Sequence, residues 1–464
     1  MSQNPPQTPA SEPVQPPGGA PVPAAGVTGA DAPPAPERGS QESVLREILS
    51  GNAMVTALAI VLSLAISAVL IIVTSPDVID AAGYFFARPM DTLSAAWTVV
   101  SDAYLALFRG SIVNYRADSF ADMIRPLTET LTVATPLIIA SLGVAIAFRT
   151  GLFNIGGQGQ FLIGAAFATV GGVYLDLPLG VHLLLVIVMG ALGGLLWGAV
   201  VGLLKAYTGA HEVILTIMLN YVALHLVSYL LNTPFLRRAG TNNPISEQFP
   251  DSAAFPALLG DGFRLHWGFV MALVLTFLAW WMLERSTLGF RLRAVGANPA
   301  AARTAGISVK GGYVAAMAIA GALAGLGGVA HISGTEKVLT SGIAGQFGFD
   351  AITVALLGRS HPVGVLFAGL LFGALRAGGV TMQTQTGVPI DIVLVVQSFI
   401  VLLIAAPPLV RAIFRLPAPG SVRARANADV VTQPALAGAA VPGAAAEAVP
   451  AETGSATTSK GQGR

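Results

Sequence analysis

Ten stretches of this chain run apolar with few interruptions: 53–74, 129–147, 157–175, 181–204, 213–232, 265–283, 311–332, 343–358, 362–378 and 390–409. Their hydrophobic positions are continuous instead of alternating, which predicts helices over the two-residue period of barrel strands. A bilayer core takes roughly 20 apolar residues per helix, and only helices and closed barrels satisfy the backbone at that depth. The pattern predicts an all-α polytopic membrane protein with about ten transmembrane helices. Between the first two stretches, residues 75–128 mix Tyr84, Trp97, Tyr104 and Tyr115 with charges, as an amphipathic, interfacial segment does.

A polar interruption, "FRTGLFNIGGQGQF" at 148–161, breaks this pattern, and the run after it, "FLIGAAFATVGGVYL", holds only fifteen residues. Part of 148–160 must then lie at membrane depth, where non-helical backbone persists only if protein buries it or it lines a watery cavity. A broken helix is the economical reading. The motif "IGGQGQF" at 155–161 recurs as "IAGQFGF" at 343–349, with Ile, Gly, Gln and Phe at matching offsets. The first copy opens a helix running outward and the second one running inward, so the chain reads as two inverted-repeat halves with broken helices.

Composition agrees with a membrane protein: hydrophobic residues make up 54% and charged residues 11% of 464, with a mean hydropathy of +0.70. A formal net charge of +1 gives no footing for nucleic acid. With no cysteine, disulfides, thiol catalysis and cysteine-held metals are excluded, and the six histidines are scattered without metal-ligand spacing. No GxxxxGK[ST] occurs, so the chain has no P-loop of its own. Residues 1–45 and 413–464 are Pro- and Ala-rich and read as disordered tails around a transmembrane region, 46–412. The start lacks the basic and apolar regions of a signal peptide.

The basic cluster Arg285, Arg291, Arg293, Arg303 and Lys310 falls in the short loop 285–310, which the positive-inside rule places in the cytoplasm. Counting spans from there puts both tails inside and 233–264 outside. Within the loop, Asn298 is a good N-cap, Pro299 suits the first helical position and Gly306 can close the helix. A capped helix of about seven residues, mostly alanine, has no core of its own to join and reads as a docking element.

The blocks "GLFNIGGQGQFLIGAAFA", "HEVILTIMLNYVA", "LGFRLRAVGANPAAARTAGI" and "FGFDAITVALLGRSHPVGVLFAGLLFGAL" occur in this order. Together they resemble the permease subunit of bacterial ABC importers in the branched-chain amino acid and simple-sugar permease superfamily, most of all the nucleoside (guanosine and uridine) permeases. The resemblance covers roughly 50–412 and leaves only the tails outside. It implies a subunit of the bacterial cytoplasmic membrane that binds no cofactor itself. ATP and Mg would sit on a partner ABC ATPase, and a second permease subunit, identical or related, and an extracytoplasmic substrate-binding lipoprotein would complete the importer. It also implies that the docking element is a coupling helix, formed by Arg293, Gly296, Asn298, Pro299, Arg303 and Gly306, with Arg303 turned to the ATPase.

Asn154, Gln158, Gln160 and Gln346 are candidates for the substrate pathway, because neutral amides can hydrogen-bond a ribose or a base without stranding a charge in hydrocarbon. The plainer role for each is helix-to-helix bonding. Asn220 joins them. Asp350 opens a helix, where an acid suits the dipole, yet it lies near the second break and is kept as a pathway candidate. Glu212 reads as a first-turn acid, Arg376 as a snorkelling side chain near the outer end of its helix. Two rivals stay open: a simple-sugar or branched-chain amino acid permease, and an ion-coupled secondary transporter carrying protons on Glu212 and Asp350. No nucleophile and base pair supports an enzyme.

Overall fold

The computed structural model describes residues 52–260 and 262–415, so both tails lie outside it except for 413–415. Its helices are α1 (Asn52–Thr74), α2 (Pro76–Ala82), α3 (Pro89–Ser111), α4 (Phe120–Arg149), α5 (Gly157–Val173), α6 (Val181–Thr208), α7 (Glu212–Leu231), α8 (Gly268–Arg285), α9 (Thr287–Ala297), α10 (Pro299–Thr304), α11 (Val309–His331), α12 (Phe347–Leu357), α13 (Pro362–Thr386), α14 (Asp391–Ala405) and α15 (Pro407–Ile413). The protein is an all-α polytopic membrane protein.

The expected count of about ten transmembrane helices is wrong. Among the described residues seven helices are long and apolar enough to cross: α1 from Met54, α4, α6, α7, α8, α11 extended to Glu336, and α13. Counting α14 and α15 as one span gives eight, although the pair bends by 94° where Pro407 and Pro408 interrupt the apolar run. The expected spans 157–175 and 343–358 are the ones lost. Helix α5 has 17 residues and α12 has 11, which at about 1.5 Å per residue fall short of a hydrocarbon core of about 30 Å. Residues 150–156 and 337–346, which precede them, are not α-helical.

Helix α3 departs from the interfacial reading of 75–128. Its Ala103, Ala106, Gly110 and Ser111 are buried, and it runs in the same direction as α13, with Leu107 beside Gly378 and Thr381 beside Gly110. Trp97 and Met90 remain exposed, and Asp91, Asp102 and Arg109 make it too polar to rank with the seven spans.

Helix α11 is central, packing on α4, α5 and α6. Its approach to α6 is backbone to backbone: a Cβ on Gly194 would lie 2.2 Å from the Gly321 carbonyl oxygen, and one on Gly321 2.2 Å from that of Gly194. Small residues permit such approach, and dispersion between the close backbones then holds the pair. Helix α4, the most buried of the seven spans, closes the other side of α11. The loop after α7 is laced to the turn after α11: the Phe249 N–H donates to the Lys337 carbonyl at 2.9 Å and the Ser246 N–H to that of Leu339 at 3.0 Å.

Candidate functional site

The two motif copies meet. Gln158, in the first turn of α5, donates from Nε2 to the Gly345 carbonyl at 2.7 Å and accepts the Gly348 N–H on Oε1 at 2.9 Å. Gly348 must be glycine for this approach, since a Cβ there would sit 2.2 Å from the Gln158 backbone nitrogen. One turn on, Phe161 and Phe347 stack with centroids 5.6 Å apart and planes 6° from parallel.

Asn154, Gln160 and Asn220 are also committed to the protein. Asn154 and Gln160 are fully buried; Asn154 Nδ2 donates to Gln160 Oε1 at 3.1 Å, and Asn154 Oδ1 accepts the Gly156 N–H at 2.9 Å. Asn220 reaches across from α7, accepting the Gly159 N–H at 2.8 Å and donating to the Ile155 carbonyl at 3.0 Å. It thereby satisfies one of the orphan donors at the start of α5. Of the five amide candidates only Gln346 is exposed, at the residue that precedes α12.

Beside this junction lies a cavity of about 370 Å³. Its wall includes Gly345 and Phe347 from the second motif copy, Thr132 of α4, His331 of α11, Thr335 of the π-helical turn Ile332–Glu336, and Arg376 of α13. Single π turns inside or at the end of α-helices are frequent at functional sites. Arg376 sits 3.5 Å from Asp350 Oδ2, with its guanidinium carbon 4.6 Å from the Phe347 centroid. So Asp350 holds an arginine, and Arg376 faces a cavity instead of snorkelling. Its place was legible in one respect: an arginine inside an otherwise apolar helix points to function by default. His331, Thr335 and Arg264 carried no such signal, because the fold alone brings them together.

Arg264, bonded to Glu129 at 3.2 Å, also lines two neighbouring cavities of about 630 Å³ each. Next to it His266 is buried, stacked on Phe255 with centroids 5.6 Å apart. The Gly268 N–H donates to its Nδ1 at 3.1 Å. Burial, with the Arg264 charge adding to it, pushes its pKa down to about 4. Among the described residues no group of three or more His, Asp or Glu is placed to hold a metal ion.

At the opposite end of α4, loop 285–310 is largely helical. Ser286 caps α9, accepting the Gly289 N–H at 3.0 Å. Asn298 caps α10, its Oδ1 accepting the N–H groups of Ala300 at 3.0 Å and Ala301 at 3.1 Å. Pro299 takes the first helical position, and Gly306 follows the helix with φ +78°, a left-handed conformation that glycine adopts without strain. Ala302 points inward onto Val295 and Val309, while Ala300, Ala301, Arg303 and Thr304 are exposed. Arg293 is turned inward, donating to the Leu283 carbonyl and pairing with Glu284 at 3.1 Å. Gly296 lies against α4's end, where a Cβ would come 2.2 Å from the Arg149 carbonyl oxygen. Glu212, at the start of α7, is paired with Lys205, whose Nζ lies 2.8 Å from its Oε2.

The family described as branched-chain amino acid transport system / permease component matches residues 127–405. The guanosine ABC transporter permease protein NupP of Bacillus subtilis is 41% identical over 284 residues, covering 61% of this chain and 82% of that protein. The nucleoside ABC transporter permease protein NupB of Lactococcus lactis is 37% identical over 289 residues, 61% of this chain and 79% of its own length. The glucose ABC transporter permease protein TsgB13 of Haloferax volcanii is 37% identical over 286 residues, 60% and 75% of the two chains. No solved structure matches the chain. With more than half its length matched, the chain belongs to the family described as branched-chain amino acid transport system / permease component and is an ABC-importer permease subunit.

Proposed function

We propose that this permease moves nucleosides inward across the bacterial cytoplasmic membrane. The observation that carries the substrate is the 41% identity to a guanosine permease; the polar, hydroxyl-lined cavity beside the motif junction suits such a solute. The energy comes from a separate ABC ATPase that binds ATP and Mg, because no P-loop occurs in the chain. A second permease subunit and an extracytoplasmic binding lipoprotein complete the assembly.

In this reading α10 is the coupling helix. Asn298, Pro299 and Gly306 fix its ends, Arg303 meets the ATPase, and Arg293 and Gly296 set the base on which it stands. ATP must bind the closed ATPase arrangement more tightly than the open one, or it could not shift the permease between its outward and inward openings. The loop 285–310 faces the cytoplasm by its arginine excess. Asn154, Gln160 and Asn220 serve the pathway by shaping its backbone, since their own polar atoms are already bonded.

A second reading, a simple-sugar permease, rests on the 37% identity to a glucose permease. The ion-coupled alternative is weaker, because Glu212 and Asp350 are each held by a basic partner. Uptake of labelled uridine and guanosine by cells with and without this chain, with ribose and leucine as competitors, tests all three. Nucleoside uptake lost with the chain and untouched by either competitor supports the proposal. Competition by ribose favours the second reading, and collapse under an uncoupler at constant ATP favours the third.

A further inference from the structure

Both arginines in the wall of the 370 Å³ cavity already have a carboxylate partner within the protein. Arg264 pairs with Glu129 at 3.2 Å and Arg376 with Asp350 at 3.5 Å. An amino acid entering such a site brings a carboxylate that must leave water with no uncommitted cation to receive it, which is costly. An uncharged solute bearing hydroxyls meets no such penalty. Arg376 presents a fork of five N–H donors, of which one nitrogen serves Asp350, and Glu336, Thr335 and Thr340 offer acceptors and hydroxyls nearby.

Arg376 is also held in place before any solute arrives, by Asp350 on one side and the Phe347 ring on the other, with Phe161 backing that ring. A donor fixed in advance loses less freedom on binding.

We infer that this cavity is a transit site for uncharged, hydroxyl-bearing solutes, with Arg376 as the hydrogen-bonding anchor, and that its paired charges exclude free amino acids. The inference rests on the permease reading above and narrows it to one class of solute at one place.

The chain lacks cysteine, so a single introduced thiol can be labelled cleanly. Gly342 lines the cavity, and a Cβ added there meets nothing within 4 Å. Gly342→Cys in the full chain, in intact cells under uptake conditions, should react with a membrane-impermeant maleimide. Saturating uridine should slow that reaction about fivefold or more, while leucine leaves it unchanged. Gly262→Cys, equally open but outside this cavity, should react at one rate throughout. Arg376→Lys, which keeps the charge and loses the fork, should raise the uptake KM about tenfold at unchanged expression. Protection by leucine would overturn the exclusion of amino acids. If the solute that uptake identifies as cargo leaves Gly342→Cys labelling unchanged, the cavity assignment falls and the transport assignment stands. If ribose is the cargo and protects, the cavity assignment holds and only the nucleoside reading falls.

Discussion

Gln158 and Gly348, 190 residues apart in the chain, share a hydrogen bond of 2.9 Å from the glycine N–H to the glutamine Oε1. The bond joins the segments that open α5 and α12, the two apolar helices that fall short of the crossings expected of them.

Removing the junction should be felt in both stability and transport. Gln158→Ala leaves the Gly348 N–H and the Gly345 carbonyl without their partner, a loss of about 1 kcal/mol each at this half-buried site. Gly348→Ala forces a Cβ into the Gln158 backbone and should be worse, with poor recovery of folded protein. Thermal unfolding of the purified chain in detergent checks the order; equal midpoints for Gly348→Ala and the parent would show that the contact is not needed.

The end caps of α10 can be separated from its surface. Asn298→Ala should cost roughly 1 kcal/mol, and Gly306→Ala, forced to φ +78°, about the same or somewhat more. Arg303→Glu changes an exposed residue and should leave the unfolding midpoint where it was. All three should lower solute-stimulated ATP hydrolysis by the assembled importer several-fold. Full stimulation in Arg303→Glu would remove that side chain from the ATPase contact.

His266 makes the loop before α8 sensitive to acid. Its pKa is about 4 when folded against an ordinary value near 6.5, so between those values the unfolded chain binds a proton that the folded one refuses. The contribution is complete above pH 6.5 and is lost as the pH falls towards 4, up to about 3 kcal/mol. His266→Asn can still accept the Gly268 N–H and does not titrate. The midpoint of the parent should drop more steeply than that of the variant between pH 7 and 5; parallel curves would place the sensitivity elsewhere.

Lys205 and Glu212 test the ion-coupled alternative. Glu212→Gln strands a partly buried lysine and should destabilise the chain by about 3 kcal/mol. Replacing Lys205 by Gln as well removes the stranded charge and should restore both the midpoint and uptake. A double variant that is stable yet cannot transport would return Glu212 to the list of proton carriers.

The helical, polytopic character and the family were legible in the sequence, because continuous apolar runs and four motif blocks report them directly. The caps of α10 were legible too, since the Asn298 to Gly306 signals act through neighbouring backbone. The span count was not: hydropathy records composition, and 157–173 is apolar enough while being too short. The partners of the amides were not legible for a related reason. Whether Asn220 meets a solute or the backbone of α5 depends on Ile155 and Gly159, more than sixty residues away, and nothing local announces it. Helix α9 lay hidden inside what read as one basic loop, and Arg376 was assigned by depth when its partner Asp350 decides its role.

The glycine contact between α6 and α11 has a mechanical consequence. With carbonyls where side chains would otherwise roll past one another, neither helix can turn about its own axis without backbone collision, so the pair behaves as one stiff beam. Only four residues separate α10 from α11, whose far end supplies His331 and the turn with Thr335 to the cavity wall. A push delivered at α10 would then travel the length of this beam as a tilt, arriving at the cavity undiminished by internal give, and the pliant parts left to absorb it are the short helices α5 and α12 and the Gln158 junction between them.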